Sequence, residues 1–323
     1  MQKIALIYMG GTFGCVGEPL APMPQHSFLP KLQTLLPKQF DVQCFSAITI
    51  KDSSACTALD WLQLIQQIQQ LQHEFQHFII IHGTDTLSYA AATLARFLAR
   101  SFHVIITGSQ FPLLDPTGEH PRPISDAFDN LNTALKHILH VDVGVYLAFD
   151  QQLFHAATAL KLHTTALKAF HGIAYNEKIT NQSKQAFQVH NEHLQRAQQL
   201  NILNWMLQPI EKEKLAQNII QLCKNPPDFL ILQGYGTGNM ASDAGIIDAL
   251  QQLRQSGCVC VLTTQVALGE TDQRYAITQW TQNAAILIND SYGHADLYAK
   301  ILKIYLEYRT TDEYVQHWSD HLN

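Results

Sequence analysis

The chain has 323 residues, is 46% hydrophobic and 15% charged, and carries a formal net charge of −6 with a pI near 6.2. That length can bury a sizeable core in one large and one smaller domain, and the absence of a basic excess argues against nucleic acid as a partner. No stretch reaches the length of a membrane span, and the residues after Met1 read as a strand and not as a signal segment, so no membrane partner and a cytoplasmic location are expected.

In chain order, Lys3 to Tyr8 reads as a short buried strand that runs into Met9-Gly10-Gly11-Thr12-Phe13-Gly14. A strand-like run, Phe45 to Ile50, leads to Asp52-Ser53-Ser54. From near Leu59 a helix begins, with Trp61, Leu64, Ile68, Leu71 and Phe75 at helical spacing against a sheet. Phe78 to Ile81 is the next buried strand, opening into His82-Gly83-Thr84-Asp85-Thr86, and His103 to Thr107 and Val141 to Phe149 supply two more. The polar stretch Asn176 to Gln199 reads as the crossing between domains. A second series then follows: a helix from Glu211 to Cys223, a strand from Phe229 to Leu232, a helix from Ala244 to Leu253 and a strand from Val259 to Leu262. This alternation predicts an α/β fold with a larger N-terminal, mostly parallel sheet flanked by helices and a smaller C-terminal α/β domain. The expected boundaries are 1–182 and 211–323, with 183–210 as the connection. Six cysteines (Cys15, Cys44, Cys56, Cys223, Cys258 and Cys260) show no CxxC pairing, and Cys258 and Cys260 alternate along a strand as buried thiols, so neither disulfides nor a zinc knuckle is expected.

Two threonines, Thr12 and Thr84, therefore each stand in a glycine-containing turn after an apolar strand. In an open α/β sheet, ligands bind beyond the carboxyl ends of the strands, so the two turns could converge on one crevice. Glycine beside threonine lets the backbone approach a ligand and turn its N–H groups toward an oxyanion, while the hydroxyl stays available for attack. Either run taken alone reads equally as an ordinary tight turn.

Four runs in order go further. Gly10-Gly11-Thr12, Asp52-Ser53-Ser54, His82-Gly83-Thr84-Asp85-Thr86 and Tyr235-Gly236-Thr237-Gly238-Asn239 resemble the successive signatures of the bacterial-type L-asparaginase family, at family-like spacing. The resemblance, to the cytoplasmic type I-like branch, implies hydrolysis of the side-chain amide of asparagine, and in some members glutamine, to the acid plus ammonia, without cofactor or metal. It implies Thr12 as the acylated nucleophile, with Thr84 and Asp85 working with a lysine to activate a hydroxyl and hold the α-amino group of the substrate. Lys161 is the candidate lysine because Lys161-Leu162-His163-Thr164 matches the family run, with Lys168 second; a lysine desolvated in a crevice gives up its proton more readily than an exposed one. Ser53, with Ser54 beside it, matches the group that binds the substrate carboxylate, and either serine also suits a cap for the helix that follows. Asn239 matches an asparagine presented across a subunit interface, which implies a homodimer or homotetramer; alone it reads as a turn residue after Gly238. The implied partner is a small amino-acid amide.

The sequence departs from that pattern in four places. Leu20 falls where the family carries a tyrosine that assists the nucleophile, and Leu160 precedes Lys161 in place of threonine. An Arg-Ser-Asp-Gly turn reads here as Ile124-Ser125-Asp126-Ala127, and the acidic residue expected near Lys300 or Lys303 has no clear match. These departures keep a second function class in view, a family-derived protein that binds an amino acid or a partner with little turnover. A third class comes from His73-Glu74-Phe75-Gln76-His77, which satisfies the HExxH pattern of zinc hydrolases but lies at the end of a predicted helix, with no third ligand evident. His82 reads as a packed or hydrogen-bonded strand residue, not a base.

Overall fold

The computed structural model describes residues 2–180, 185–269, 280–281 and 283–320. They divide into two compact units that meet in sequence between Gln198 and Gln199. The first runs through β1 (Lys3–Tyr8), a small hairpin of β2 (Cys15–Val16) and β3 (Ala21–Pro22), α1 (Gln25–Leu35), β4 (Asp41–Ser46), α2 (Ala58–Leu71), β5 (His77–Ile81), α3 (Leu87–Leu98), β6 (His103–Thr107), α4 (Ala127–His137), β7 (Gly144–Phe149), β8 (Gln152–His155), a second hairpin of β9 (Leu160–Lys161) and β10 (Phe170–His171), and α5 (Asn191–Ala197).

Six strands form one sheet in the order β4-β1-β5-β6-β7-β8, every pairing parallel except β7 with β8. Side chains alternate across it. Ile4, Leu6, Tyr8, Ile79, Ile81 and Ile105 pack against Phe28 and Leu32 of α1 and Leu131 and Leu135 of α4. Their neighbours Ala5, Ile7, Phe78 and Ile80, on the opposite face by the pleat, are equally buried. Burial on both faces is why these strands read as unbroken apolar runs. The antiparallel β8 follows a two-residue turn at Asp150-Gln151, with φ of 48° and 59°, the geometry of a tight hairpin. Along the chain, β4 pairs on one side of β1 and β5 on the other, so the strand order reverses between β1 and β5. That reversal is the switch point where such sheets open a crevice.

The second unit is a four-stranded parallel sheet, β11 (Ile202–Met206), β12 (Phe229–Gly234), β13 (Val259–Thr264) and β14 (Ile286–Ile288), in that order, with α6 (Lys212–Leu222), α7 (Ala244–Gln255), α8 (His294–Glu307) and α9 (Thr311–Gln316). Leu230, Leu232, Cys260 and Leu262 meet Leu250 and Leu253 of α7 in its core. All six cysteines are free thiols.

Two expectations shift, and the remote zinc reading finds no site among the described residues. The strand expected at Phe45 to Ile50 lies earlier, at Asp41–Ser46, because pairing with Lys3 to Tyr8 sets its register. Residues 183–210 are more than a connection, although 181–184 lie outside the described residues: α5 belongs to the first unit and β11 opens the second. The polar pattern hides this because few of its residues turn inward. Among them Phe187 and Val189 are buried, and Gln69 of α2 donates to Phe187 O at 2.8 Å and accepts from Val189 N at 3.2 Å. The zinc-type motif loses its geometry, since α2 ends at Leu71, His73 falls in the following turn and His77 opens β5, stacked on His103 with ring centroids 4.6 Å apart. The two histidines thus share no helix face, and Glu74 is paired with Lys3 at 2.8 Å. No group of three metal-ligating side chains occurs among the described residues, and none of their helices is long and apolar enough to cross a membrane.

Candidate active site

The loops after β1, β4 and β5 lie side by side because those strands are neighbours in the sheet. Glycine lets them touch. At Gly11, φ is +85° and a Cβ would overlap the backbone of Gly83; at Gly83, a Cβ would come within 2.5 Å of Ser53 Oγ. Thr12 opens a single 3-10 turn, Thr12–Gly14, immediately after that contact. Ser53 is buried, with its Oγ accepting from the backbone N–H of Asp85 at 3.3 Å and its carbonyl accepting from Thr86 Oγ1 at 2.7 Å. Its hydroxyl donates to no partner among the described residues, so its proton is available for an anion.

The two serines have different environments. Ser54 is exposed, and its hydroxyl and backbone N–H both donate to Asp52 Oδ1 at 2.7 and 2.8 Å, bonds that hold the Asp52 carboxyl below its usual range. Neither serine caps the following helix. Thr57 does, its backbone N–H donating to Asp60 Oδ2 at 2.7 Å, and Lys51 pairs with the same carboxylate at 2.8 Å.

Thr84 is buried, and Lys161 Nζ lies 3.0 Å from its Oγ1 and 3.6 Å from Asp85 Oδ1. Lys161 reaches there from the β9–β10 hairpin, its side chain 20% exposed against 61% for Asp85. Lys168, on the same hairpin, is exposed. The structure therefore brings Thr12, Ser53, Thr84, Asp85 and Lys161 to one end of the first unit's sheet. Asn239 belongs to the second unit, exposed in a turn where its Nδ2 donates to Thr237 Oγ1 at 3.2 Å.

His82 is an acceptor and a donor in fixed roles. Trp61 Nε1, which can only donate, reaches His82 Nε2 at 3.1 Å, so Nδ1 carries the proton and donates to Gly83 O at 2.8 Å. Burial pushes its pKa down to about 4, so it stays neutral. Leu20 is half exposed in the turn between β2 and β3. Tyr8 does not take its place as a lid: the phenol is buried beneath the 3-10 turn, fills the space a Gly14 side chain would need, and has no hydrogen-bond partner among the described residues.

Two features of the site went unnoticed in the sequence. Asp126, seen only as part of an altered turn, is a buried carboxylate accepting from Gln110 N and Phe111 N at 2.9 Å, and with Asn130, which donates to Gly108 O, it sets the loop after β6 beside Thr84. Ser88, in the first turn of α3, accepts from Lys161 N at 3.1 Å. In the second unit, Lys300 is paired with Asp290, ten positions earlier.

Two threonine turns thus meet at the switch point of the mostly parallel sheet, where such sheets bind ligands, one of them with its hydroxyl against a lysine. Residues 3–195 match the family described as Asparaginase, N-terminal, and the chain belongs to that family of amidohydrolases. It is similar to L-asparaginase 1 of Escherichia coli strain K12, 26% identical over 333 residues that cover 97% of this chain and 94% of that protein. It is also similar to an L-asparaginase of Dirofilaria immitis, 27% identical over 69% of this chain and 38% of that longer protein. The fold matches that of L-asparaginase I from Vibrio cholerae with a TM-score of 0.76 and 21% identity, over 98% of this chain and 96% of that one.

Proposed function

We propose that the chain is a cytoplasmic L-asparaginase that hydrolyses the side-chain amide of L-asparagine through Thr12. The observation that carries this reading is the Lys161–Thr84 contact at 3.0 Å, on a loop packed against the turn that presents Thr12. Thr12 Oγ1 attacks the amide carbon, the developing oxyanion collapses, and the nitrogen leaves as ammonia once it has taken a proton. The resulting ester on Thr12 is then opened by water, which restores the hydroxyl and releases the acid. Thr84 and Lys161 move the protons, the Asp85 carboxylate takes the α-ammonium of the substrate, and the free proton of Ser53 meets its α-carboxylate. Asn239 of a second copy completes the pocket, which makes the working form a homodimer or homotetramer. No cofactor is required in this scheme.

Ammonia release from L-asparagine, L-glutamine and their D-forms, with and without a chelator, tests the reading. The expected result is chelator-insensitive release from L-asparagine, with L-glutamine as the second substrate to compare, since a pocket discriminates one methylene by only about 1–3 kcal/mol. No release from any of the four amides overturns it.

A further inference from the structure

The lysine of the site stands on weak ground. β9 is two residues long, pairs with the equally short β10 and lies outside the six-stranded sheet that positions the other site loops. Its hairpin is exposed at Leu162, His163, Thr164, Thr165, Leu167 and Lys168. A lysine on such a segment does not inherit the precision of the sheet, and an error of about 1 Å in a catalytic group costs on the order of 10²-fold in rate. Leu160 and Phe170 of the hairpin are buried, but one side chain ties the main chain of the lysine itself to α3. Ser88 belongs to the first turn of α3, four residues after Thr84 in the same chain segment, is 4% exposed, and accepts the backbone N–H of Lys161 at 3.1 Å. Lys161 is thereby held to one turn at both ends, its main chain by Ser88 and its Nζ by Thr84 Oγ1.

We propose that Ser88 is a positioning residue of the reaction, fixing the Lys161 backbone against α3 so that Nζ stays in register with the Thr84 hydroxyl. This rests on the reading of Lys161 as the proton-handling partner of Thr84. Ser88 touches neither substrate nor reacting atoms; it acts through the lysine. Its loss should therefore appear in kcat and leave KM nearly unchanged.

The test is steady-state kinetics on Ser88→Ala, Ser88→Cys and Ser88→Thr beside Lys161→Met, with melting temperatures. Cysteine keeps the volume of serine but is a weak acceptor, so it replaces alanine as the informative variant if alanine fails to fold; threonine keeps the acceptor. The expected result is kcat lowered about tenfold or more in the alanine and cysteine variants, KM within about threefold of the wild type, and kcat largely restored by threonine. Wild-type kcat in the cysteine variant overturns the proposal, as does a rise in KM alone or a threonine variant as slow as alanine. Full turnover in Lys161→Met overturns the underlying reading of the lysine, whereas a slow Lys161→Met beside wild-type-like Ser88 variants overturns the role of Ser88 alone.

Discussion

The two threonine turns meet at Gly11 and Gly83 yet are built by different means. The Thr84 turn is held by side-chain chemistry: its hydroxyl faces Lys161 at 3.0 Å, its next backbone N–H reaches Ser53, and His82 beneath it is locked between Trp61 and Gly83 O. The Thr12 turn is held by backbone geometry. Its carbonyls at Gly11, Thr12, Phe13 and Gly14 are all taken, by Gly14 N, Cys15 N, Leu113 N and Met23 N, and Phe13 and Tyr8 fill the space beneath. No hydrogen bond is made by the Thr12 hydroxyl among the described residues. Under the proposed mechanism one turn handles protons and the other presents the nucleophile, a division that keeps the reacting hydroxyl unencumbered until substrate arrives.

The largest effect that could break this division comes from removing the hydroxyls one at a time. Thr12→Ala and Thr84→Ala should each lower kcat by about 10³-fold or more with the fold intact. If Thr12 carries the acyl group, a slow substrate should leave a covalent adduct detectable by mass spectrometry on the Thr84→Ala protein and never on Thr12→Ala. An adduct on Thr84 would reverse the roles.

How much of this could be read beforehand differs between the same two turns. The strands under them were legible because Ile4 to Tyr8, Phe78 to Ile81 and Val104 to Thr107 are buried on both faces and so nearly unbroken in apolar residues. The site threonines were legible from four short runs in order. What stayed hidden was contact across the chain: Ser88 is an ordinary helix serine until a strand 73 positions later docks on it, and nothing local in Tyr8 announces that its phenol lies under Gly14. β8 and β14 were missed because short strands depend on their neighbours for definition, β8 through a hairpin turn and β14 through pairing with β13. The HExxH run has no shared helix face for the converse reason, since the local pattern falls after α2 has ended and is cut by the start of β5 at His77.

A smaller effect tests whether backbone geometry truly holds the Thr12 turn. Gly11→Ala introduces a Cβ into the Gly83 backbone at a residue whose φ of +85° already disfavours a side chain, so one loop must move. Turnover should fall about 10²-fold, with a stability loss of roughly 1–3 kcal/mol. Wild-type turnover in Gly11→Ala would show that the close approach of the two loops is dispensable.

Leu20 sharpens the comparison from the other direction, because it stands at the tip of the hairpin that follows the Thr12 turn and cannot exchange a proton. A positioned acid–base group contributes about 10²–10⁴-fold, so native turnover should be low, and Leu20→Tyr should raise kcat about tenfold or more while changing KM less. No gain in a weakly active protein would favour the binding-protein alternative, which calorimetric titration with asparagine would then reveal as tight binding without turnover.

The smallest effect concerns stability alone and separates the turns by pH. His82 lies in the Thr84 turn, and no comparable group lies in the Thr12 turn. Its pKa falls from 6.5 to about 4 on burial, so below pH 6.5 the unfolded chain binds a proton that the folded one refuses. The stability tied to the neutral ring is therefore complete above pH 6.5 and is lost as pH falls toward 4, by about 2 kcal/mol between pH 7 and pH 5. His82→Gln removes the titration while keeping one acceptor for Trp61 Nε1 and one donor for Gly83 O, so any packing cost it carries should be the same at both pH values. Urea unfolding at pH 7 and pH 5 should show the wild type losing about 2 kcal/mol more than the variant over that interval, carboxylates elsewhere contributing equally to both. Parallel losses would mean that His82 accepts a proton inside the folded protein, in which case the lock between Trp61 and Gly83 opens in acid and the Thr84 turn is less preset than its hydrogen bonds indicate.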